Sequence, residues 1–498
     1  DVIRTRCETT GVNLIVGDWK SFDPASVPTL AGVLVQYPDN DDFSQVAPVS
    51  ITLGSNDCTM DVYNIRIYEN DLTRFQMLDN WIADTQDLAE KKDRFERNDI
   101  FDDYGQILPT TLRTSQKYLI INCPVLPTFK GDKKTCSGSY VDPVDTKGSF
   151  TFTGAEIDVQ GTSSQYYYVK NFKIKFKGGF VQNGETKPTY AMNDMAIPTN
   201  EFTFKADVAS SEGANNVVLA ELYNELCPVK TPAQEEDPRV RQTIEGHPIV
   251  VFHDDGSGPK FIGKYNFNND KGTPEVFGFE PGDESWEILE NGNALVSFKT
   301  GDFTGWETAF EARYPEDNKN ITRLQQFVAW VASTNTEGQT EEEAAARREK
   351  FRTELSQWAN VEDAIFYYLF TLVFLCIDQR EKNAFPTWNA EMAEWLWLFY
   401  DADSSLGTDN KGNLTFEYWM EDIDYTASGD PVFNGQHSTF WKNLRTTRAD
   451  AMKAEWHRLR KAGFSHTSVM AAFDICNVTD ADYDRSCRLA GTEKQAAG

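Results

Sequence analysis

Histidine is scarce in this 498-residue sequence. The five residues, at 247, 253, 437, 457 and 466, are scattered, which argues against a His-based triad or a zinc site. None of the eight cysteines forms a C-x-x-C pair, which excludes zinc-ribbon and thioredoxin-type sites. H-E-x-x-H, a Walker loop and G-x-S-x-G are also missing. Basic residues are in deficit, 48 against 77 acidic ones, a net charge of −29. Phosphate backbones are gripped by clustered Lys and Arg, so a general nucleic-acid binder is excluded. The longest apolar run, Ala364 to Ile377, falls short of the roughly 18–20 residues of a membrane span and reads as a buried core helix. No membrane span is expected.

Aromatic residues are abundant: 33 Phe, 19 Tyr and 12 Trp, enough for large cores and incompatible with global disorder. The length suggests two to three domains at roughly 150 residues each. The chain starts at Asp1 with no apolar leader, so a processed or truncated piece is expected. Cys123 and Cys136, like Cys476 and Cys487, stand close enough in sequence to close small disulfide loops.

Residues 1–85 alternate apolar and polar, which predicts short antiparallel strands. Residues 86–145 are charged, then rich in Pro and Gly, and read as a linker. Alternation returns from Ser149 to Gly161, Asn171 to Gly178 and Glu201 to Val208, and a D-D-G-S-G turn (Asp254 to Gly258) marks a hairpin. Helical spacing appears from Ala214 to Leu226. From about residue 300 three helices are expected, around Arg323–Ser333, Glu341–Ala359 and Asn360–Asp378, with more between Ser438 and Gly463. A sheet-rich half followed by a helix-rich half is an α+β chain.

The sharpest chemical signal is C-I-D-Q-R-E-K-N (Cys376–Asn383). It sets Asp378 and Asn383 five apart behind a buried helix. Asp401 and Asp403 follow at the end of an aromatic strand, in L-F-Y-D-A-D-S-S-L-G (Leu398–Gly407). Such a set suits phosphoryl transfer: one carboxylate takes the proton of the attacking hydroxyl, while an amide and a second carboxylate hold divalent metal on the nucleotide. Capping of turns by Asp is the bland alternative. Phe172, Ile174 and Phe176 alternate with Lys173, Lys175 and Lys177, so one strand face packs and three ammonium groups leave the other. An edge-protecting lysine row is the alternative there.

These blocks, in order with V-Q-G-T-S-S-Q (Val159–Gln165), F-K-A-D (Phe204–Asp207), F-I-G-K-Y-N-F (Phe261–Phe267) and F-W-K-N-L (Phe440–Leu444), resemble the CotH kinase family of spore-coat proteins. The resemblance covers roughly residues 150–460. It implies an atypical protein-kinase-like fold over 146–498, with ATP and Mg²⁺ or Mn²⁺ as cofactors and a protein Ser/Thr substrate. It makes Asp378 the catalytic aspartate, Asn383 and Asp401 metal ligands, and Asp403 a second metal carboxylate. Gly161, Ser163 and Ser164 become the phosphate-covering turn, where small residues let backbone N–H groups approach. Lys173 or Lys175 is the expected phosphate lysine, with Lys205 as rival and Glu221 as its helix carboxylate. C-I-D stands where conventional kinases have H-R-D, and D-A-D-S-S-L-G where they have D-F-G. Adenylylation and glutamylation are therefore alternative chemistries, and a kinase-like structural or binding protein of a cell surface or phage particle is the non-enzymatic one.

The stretch Asp61 to Asp84 resembles the closing strand of laminin-G-like, concanavalin-like sandwiches. That implies a carbohydrate or cell-surface ligand for the N-terminal segment, and favours a spore or cell surface, the extracellular space or a virion over the cytoplasm.

Overall fold

In this computed structural model the chain divides into two compact units, Asp1–Asp99 and Ile100–Gly498. The residues described are four strands of the first unit and, in the second, residues 117–142, 146–161, 165, 169–207, 214–289, 294–407 and 438–475. In the first unit β1 (Arg4–Cys7) pairs antiparallel with β4 (Val49–Thr52), and β2 (Asn13–Val16) with β3 (Val33–Gln36). Antiparallel β was expected here. The concanavalin-like stretch Asp61 to Asp84 lies outside the described residues.

The second unit is α+β, and its strand-rich part is a closed barrel. β5 (Tyr118–Asn122), β6 (Lys134–Val141), β7 (Phe150–Gln160), β8 (Asn171–Lys175), β11 (Glu201–Lys205), β12 (Gly246–Asp254) and β13 (Pro259–Asn269) run in the order β7-β6-β5-β12-β13-β11-β8, and β8 pairs back onto β7. β9 (Phe180–Gln182) and β10 (Glu185–Lys187) extend from β7. All barrel pairings are antiparallel except β5 with β12. Closure pairs each of the seven barrel strands on both sides, and β10 is the outer strand of the extension.

β5 and β6 correct the expected linker 86–145. The Pro- and Gly-rich stretch that suggested it is the connection of a β5–β6 hairpin, with Gly131 at φ 95°. Pro and Gly punctuate hairpin loops as readily as linkers. Alternation holds inside the barrel: Phe172, Ile174, Phe202, Phe204 and Phe267 fill it, and Lys173, Lys175 and Lys205 leave its outer face. Phe204 and Phe267 stack at 5.0 Å.

Gly138 of β6 is required by close approach, because a Cβ there would run into the Ile120 carbonyl oxygen and meet the Phe152 ring at 2.8 Å. Gly138→Ala is expected to cost about 3 kcal/mol, the upper part of the range for overpacking, as read from chemical denaturation. A change below about 0.5 kcal/mol, the level of an indifferent surface substitution, would show that the β5–β6 contact is looser than this.

The helix-rich part contains α1 (Asn215–Leu226), α2 (Pro232–Glu236), α3 (Ala294–Thr300), α4 (Thr322–Ser333), α5 (Glu341–Glu354), α6 (Val361–Val373), α7 (Thr439–Thr447), α8 (Ala449–Lys461) and α9 (His466–Ile475). Thr340 and Glu343 form a capping box at the start of α5, and the Asn360 side chain accepts from the Asp363 N–H at the start of α6. Four strands thread this region in the order β15-β14-β16-β17: β14 (Glu284–Ile288), β15 (Phe310–Tyr314), β16 (Phe385–Asn389) and β17 (Glu394–Leu398). One apolar core joins Tyr223 of α1, Phe327 of α4, Phe370 of α6, Trp397 of β17 and Phe440 of α7. Among the described residues no helix is long and apolar enough to cross a membrane.

Candidate functional site

Lys205 ends β11 on the outer face of the barrel, opposite the inward Phe204. Its ammonium group is ion-paired with Asp401 Oδ1 and lies 4.5 Å from the centre of the Tyr400 ring. Asp401 follows β17 with φ 62°, a left-handed backbone unusual outside glycine. Its other carboxylate oxygen accepts from Asn383 Nδ2 at 3.2 Å. Asn383 is left-handed too, at φ 51°. Two such residues in contact point to a local geometry held by its surroundings.

Those surroundings are specific. After α6 the chain turns through Leu375 (φ 49°) into the loop Cys376–Asn383. Gln379 Nε2 donates to the carbonyls of Tyr400 (3.2 Å) and Asp401 (2.5 Å), and its own carbonyl accepts from Tyr367 OH at 2.6 Å. Asn216, in the first turn of α1, accepts from the Ala402 N–H at 2.8 Å and donates to Asp207 Oδ1 at 2.7 Å. Asn215 donates to Ser405 Oγ at 3.0 Å. Barrel strand and post-α6 loop thus meet at the Asp401 carboxylate, and α1 holds the backbone and side chains just beyond it.

Asp378 heads the loop, buried, with Oδ2 3.1 Å from Lys382 Nζ. The turn that delivers Asn383 folds Lys382 back onto it. Burial alone would raise the Asp401 carboxyl, but Lys205, with Lys271 and Lys382 beyond it, holds it below the usual range. Burial works against the Lys205 charge, but Asp401 together with Tyr400, Asp403 and Asp207 holds it well above its ordinary value. Asp403 is pushed well up, first by burial and then by the Asp401 charge. Burial raises Asp207 to about 6.

The structure brings Lys205, Asp378, Asn383, Asp401 and Asp403 together. Lys173 shares their barrel face, but its ammonium lies 2.9 Å from Asp270 and 2.6 Å from Glu201; Lys175 binds Glu201 at 2.5 Å. Of the three candidate lysines, Lys205 is the one paired with Asp401, while Lys173 and Lys175 are paired with Asp270 and Glu201. Alternation assigns a face, not a partner, and β11 is the strand that ends beside Asp401. Glu221 is exposed on α1, and the carboxylate on Lys205 is Asp401 in its place. Gly161 turns the chain at the end of β7 with φ 100°. Ser163 and Ser164 lie outside the described residues.

Sequence reasoning passed over Gln379, Asp207 and Asn216. It also passed over Lys271, whose Nζ lies 2.6 Å from Glu287 and 5.0 Å from the Tyr400 ring centre. Asp207, two residues beyond Lys205 in the same block, carried a local signal; the others had none.

Lys205→Ala would leave the Asp401 carboxylate buried without its main counter-charge. The expected loss of stability is about 3 kcal/mol, the low end for a broken buried pair, since Asp401 keeps 26% side-chain exposure. Urea unfolding measures it. A loss under about 1 kcal/mol, the range of surface pairs, would show that the pair is effectively solvated.

Among the described residues no three His, Cys, Asp or Glu side chains form a cage for a metal ion. No family model matches the sequence. A glycine dehydrogenase (decarboxylating) of Akkermansia muciniphila is 72% identical to it over 39 residues, 8% of this chain and 4% of that protein. The chain thus matches a small fraction of that relative's length, and no activity is carried across by it.

Proposed function

We propose that this chain is an ATP- and divalent-metal-dependent protein kinase of the CotH-like type, transferring phosphoryl to Ser or Thr hydroxyls. The observation that carries the proposal is the convergence on Asp401 of a barrel lysine, Lys205, and a loop amide, Asn383, with Asp378 at the head of the same loop. The closed barrel carries none of it; the kinase-like reading of the fold rests on the site.

The donor set fits the cofactors. Mg²⁺ and Mn²⁺ take oxygen ligands and keep several waters, so a carboxylate and an amide oxygen suffice when phosphates complete the shell. Asn383 now turns its Nδ2 toward Asp401, and rotating the amide presents its oxygen. A bound divalent ion would neutralise charge on the nucleotide phosphates. In this reading Lys205 exchanges part of its contact with Asp401 for phosphate. Asp378 accepts the hydroxyl proton, and Lys382 steadies both Asp378 and the group being transferred.

Intact-mass measurement after incubation with ATP, Mg²⁺ and candidate acceptor proteins tests the proposal. Gain of phosphate on the chain or on an acceptor is the expected result. Gain of adenylate, or of glutamate when supplied, moves the chemistry to adenylylation or glutamylation. No gain, with no rise in melting temperature on adding ATP and either metal, replaces the enzyme with a scaffold.

A further inference from the structure

We propose that Cys123 and Cys136 are a redox pair that closes a disulfide between β5 and β6 at one end of the barrel. The register leads to the opposition. Asn122, the last residue of β5, faces Ser137 in the antiparallel ladder, and carrying the ladder one residue further sets Cys123 against Cys136. The Cys123 N–H donates to the Asp254 carbonyl on β12, and its own carbonyl oxygen lies 2.8 Å from His253 Nε2 of the same strand. The N–H and C=O of one strand residue point to the same side, so Cys123 turns neither toward β6. The two cysteines therefore form a non-hydrogen-bonded cross-strand pair. Such pairs bring Cα atoms to about 4.5 Å, within the roughly 4.4–6.8 Å that a disulfide spans. Both side chains belong to the barrel core cluster, so they leave the sheet on the same face.

The two thiols differ. Burial raises both, that of Cys136 to about 12, with Cys123 adding to it. For Cys123 burial is opposed by a backbone hydrogen bond at Val125 and by the Lys134 ammonium. The His253 ring nitrogen lies 3.6 Å from the Cys123 sulfur. Both sulfurs are buried, so local opening at this end of the barrel precedes the reaction, and Cys123 is assigned as the thiol that meets an oxidant, here a small-molecule disulfide such as oxidised glutathione. Its thiolate attacks that disulfide and expels one glutathione thiolate, leaving a mixed disulfide. The Cys136 thiolate then attacks the Cys123 sulfur and expels the second. Two cysteine thiols lose two protons and two electrons, and one oxidised glutathione becomes two reduced ones. The bond ties the ends of the connection between β5 and β6 and restricts the unfolded chain.

The test is peptide mapping of the whole chain after exposure to oxidised glutathione, with alkylation before and after reduction. Cleavage after Lys130 and Lys133 places Cys123 and Cys136 on separate peptides. The expected result is one cross-linked species that reduction splits, with a melting temperature a few degrees above that of the reduced protein. Cys136→Ser should trap glutathione on Cys123 and lose the melting shift. Recovery of both cysteines as alkylated thiols, or of each with its own glutathione, overturns the proposal. The mapping on the unaltered chain stands whether or not the variant folds.

Discussion

Asp401→Asn is expected to abolish the rise in melting temperature that ATP with Mg²⁺ induces, and to cut phosphoryl transfer by about 10³-fold or more, the scale set by loss of a principal electrostatic group. The reasoning starts from the shared carboxylate. Lys205 holds one of its oxygens and Asn383 faces the other, so both groups assigned to the nucleotide are organised by this side chain. A ligand that binds only the folded state at about 100 times its Kd stabilises by about 2.7 kcal/mol, and that increment is the quantity that should disappear. Asparagine keeps the shape, so each protein is compared with its own ligand-free melting temperature. A variant that keeps the full ATP–Mg²⁺ shift would remove Asp401 from the nucleotide site and with it the basis of the kinase reading.

Asp378→Asn should separate binding from chemistry. Transfer is expected to fall by about 10²–10⁴-fold, the usual contribution of a positioned base, while the ATP–Mg²⁺ melting shift persists. Asp378 acts on the acceptor hydroxyl in this assignment and pairs with Lys382, whereas the Asp401 carboxylate is held by Lys205 and Asn383. Loss of the ion pair to Lys382 will lower the baseline stability, so the shift, not the absolute melting temperature, is the readout. If transfer and shift vanish together, Asp378 is a structural partner of Lys382 that holds the loop. If transfer survives within about tenfold, the proton leaves by another route.

Local pattern made a good part of this architecture readable. Period-two alternation located β7, β8 and β11, the Asp254–Gly258 turn located the β12–β13 hairpin, and apolar periodicity located α1, α4 and α6. The pattern failed where it is ambiguous. Pro and Gly between Cys123 and Gly131 mark a hairpin connection and a linker equally well, so β5 and β6 were missed. β15 and β16 are short segments between helices, too brief for their spacing to stand out.

By itself the sequence determined an α+β chain, lacked a Walker motif and clustered histidines, and singled out Asp378, Asn383, Asp401 and Asp403 as a cluster, because these residues lie within one short stretch around β16 and β17. Which lysine joins them was a tertiary decision. Lys173, Lys175 and Lys205 all leave the same barrel face, and alternation cannot rank them; closure of β8 and β11 into the barrel commits the first two to Asp270 and Glu201 and sets Lys205 against a carboxylate 196 residues away. The burial that shifts Asp403 and Asp207, the Lys382 contact that ties down Asp378, and the opposition of Cys123 to Cys136 arise in the same way. Each depends on contacts between elements whose sequence separation leaves no local pattern to read.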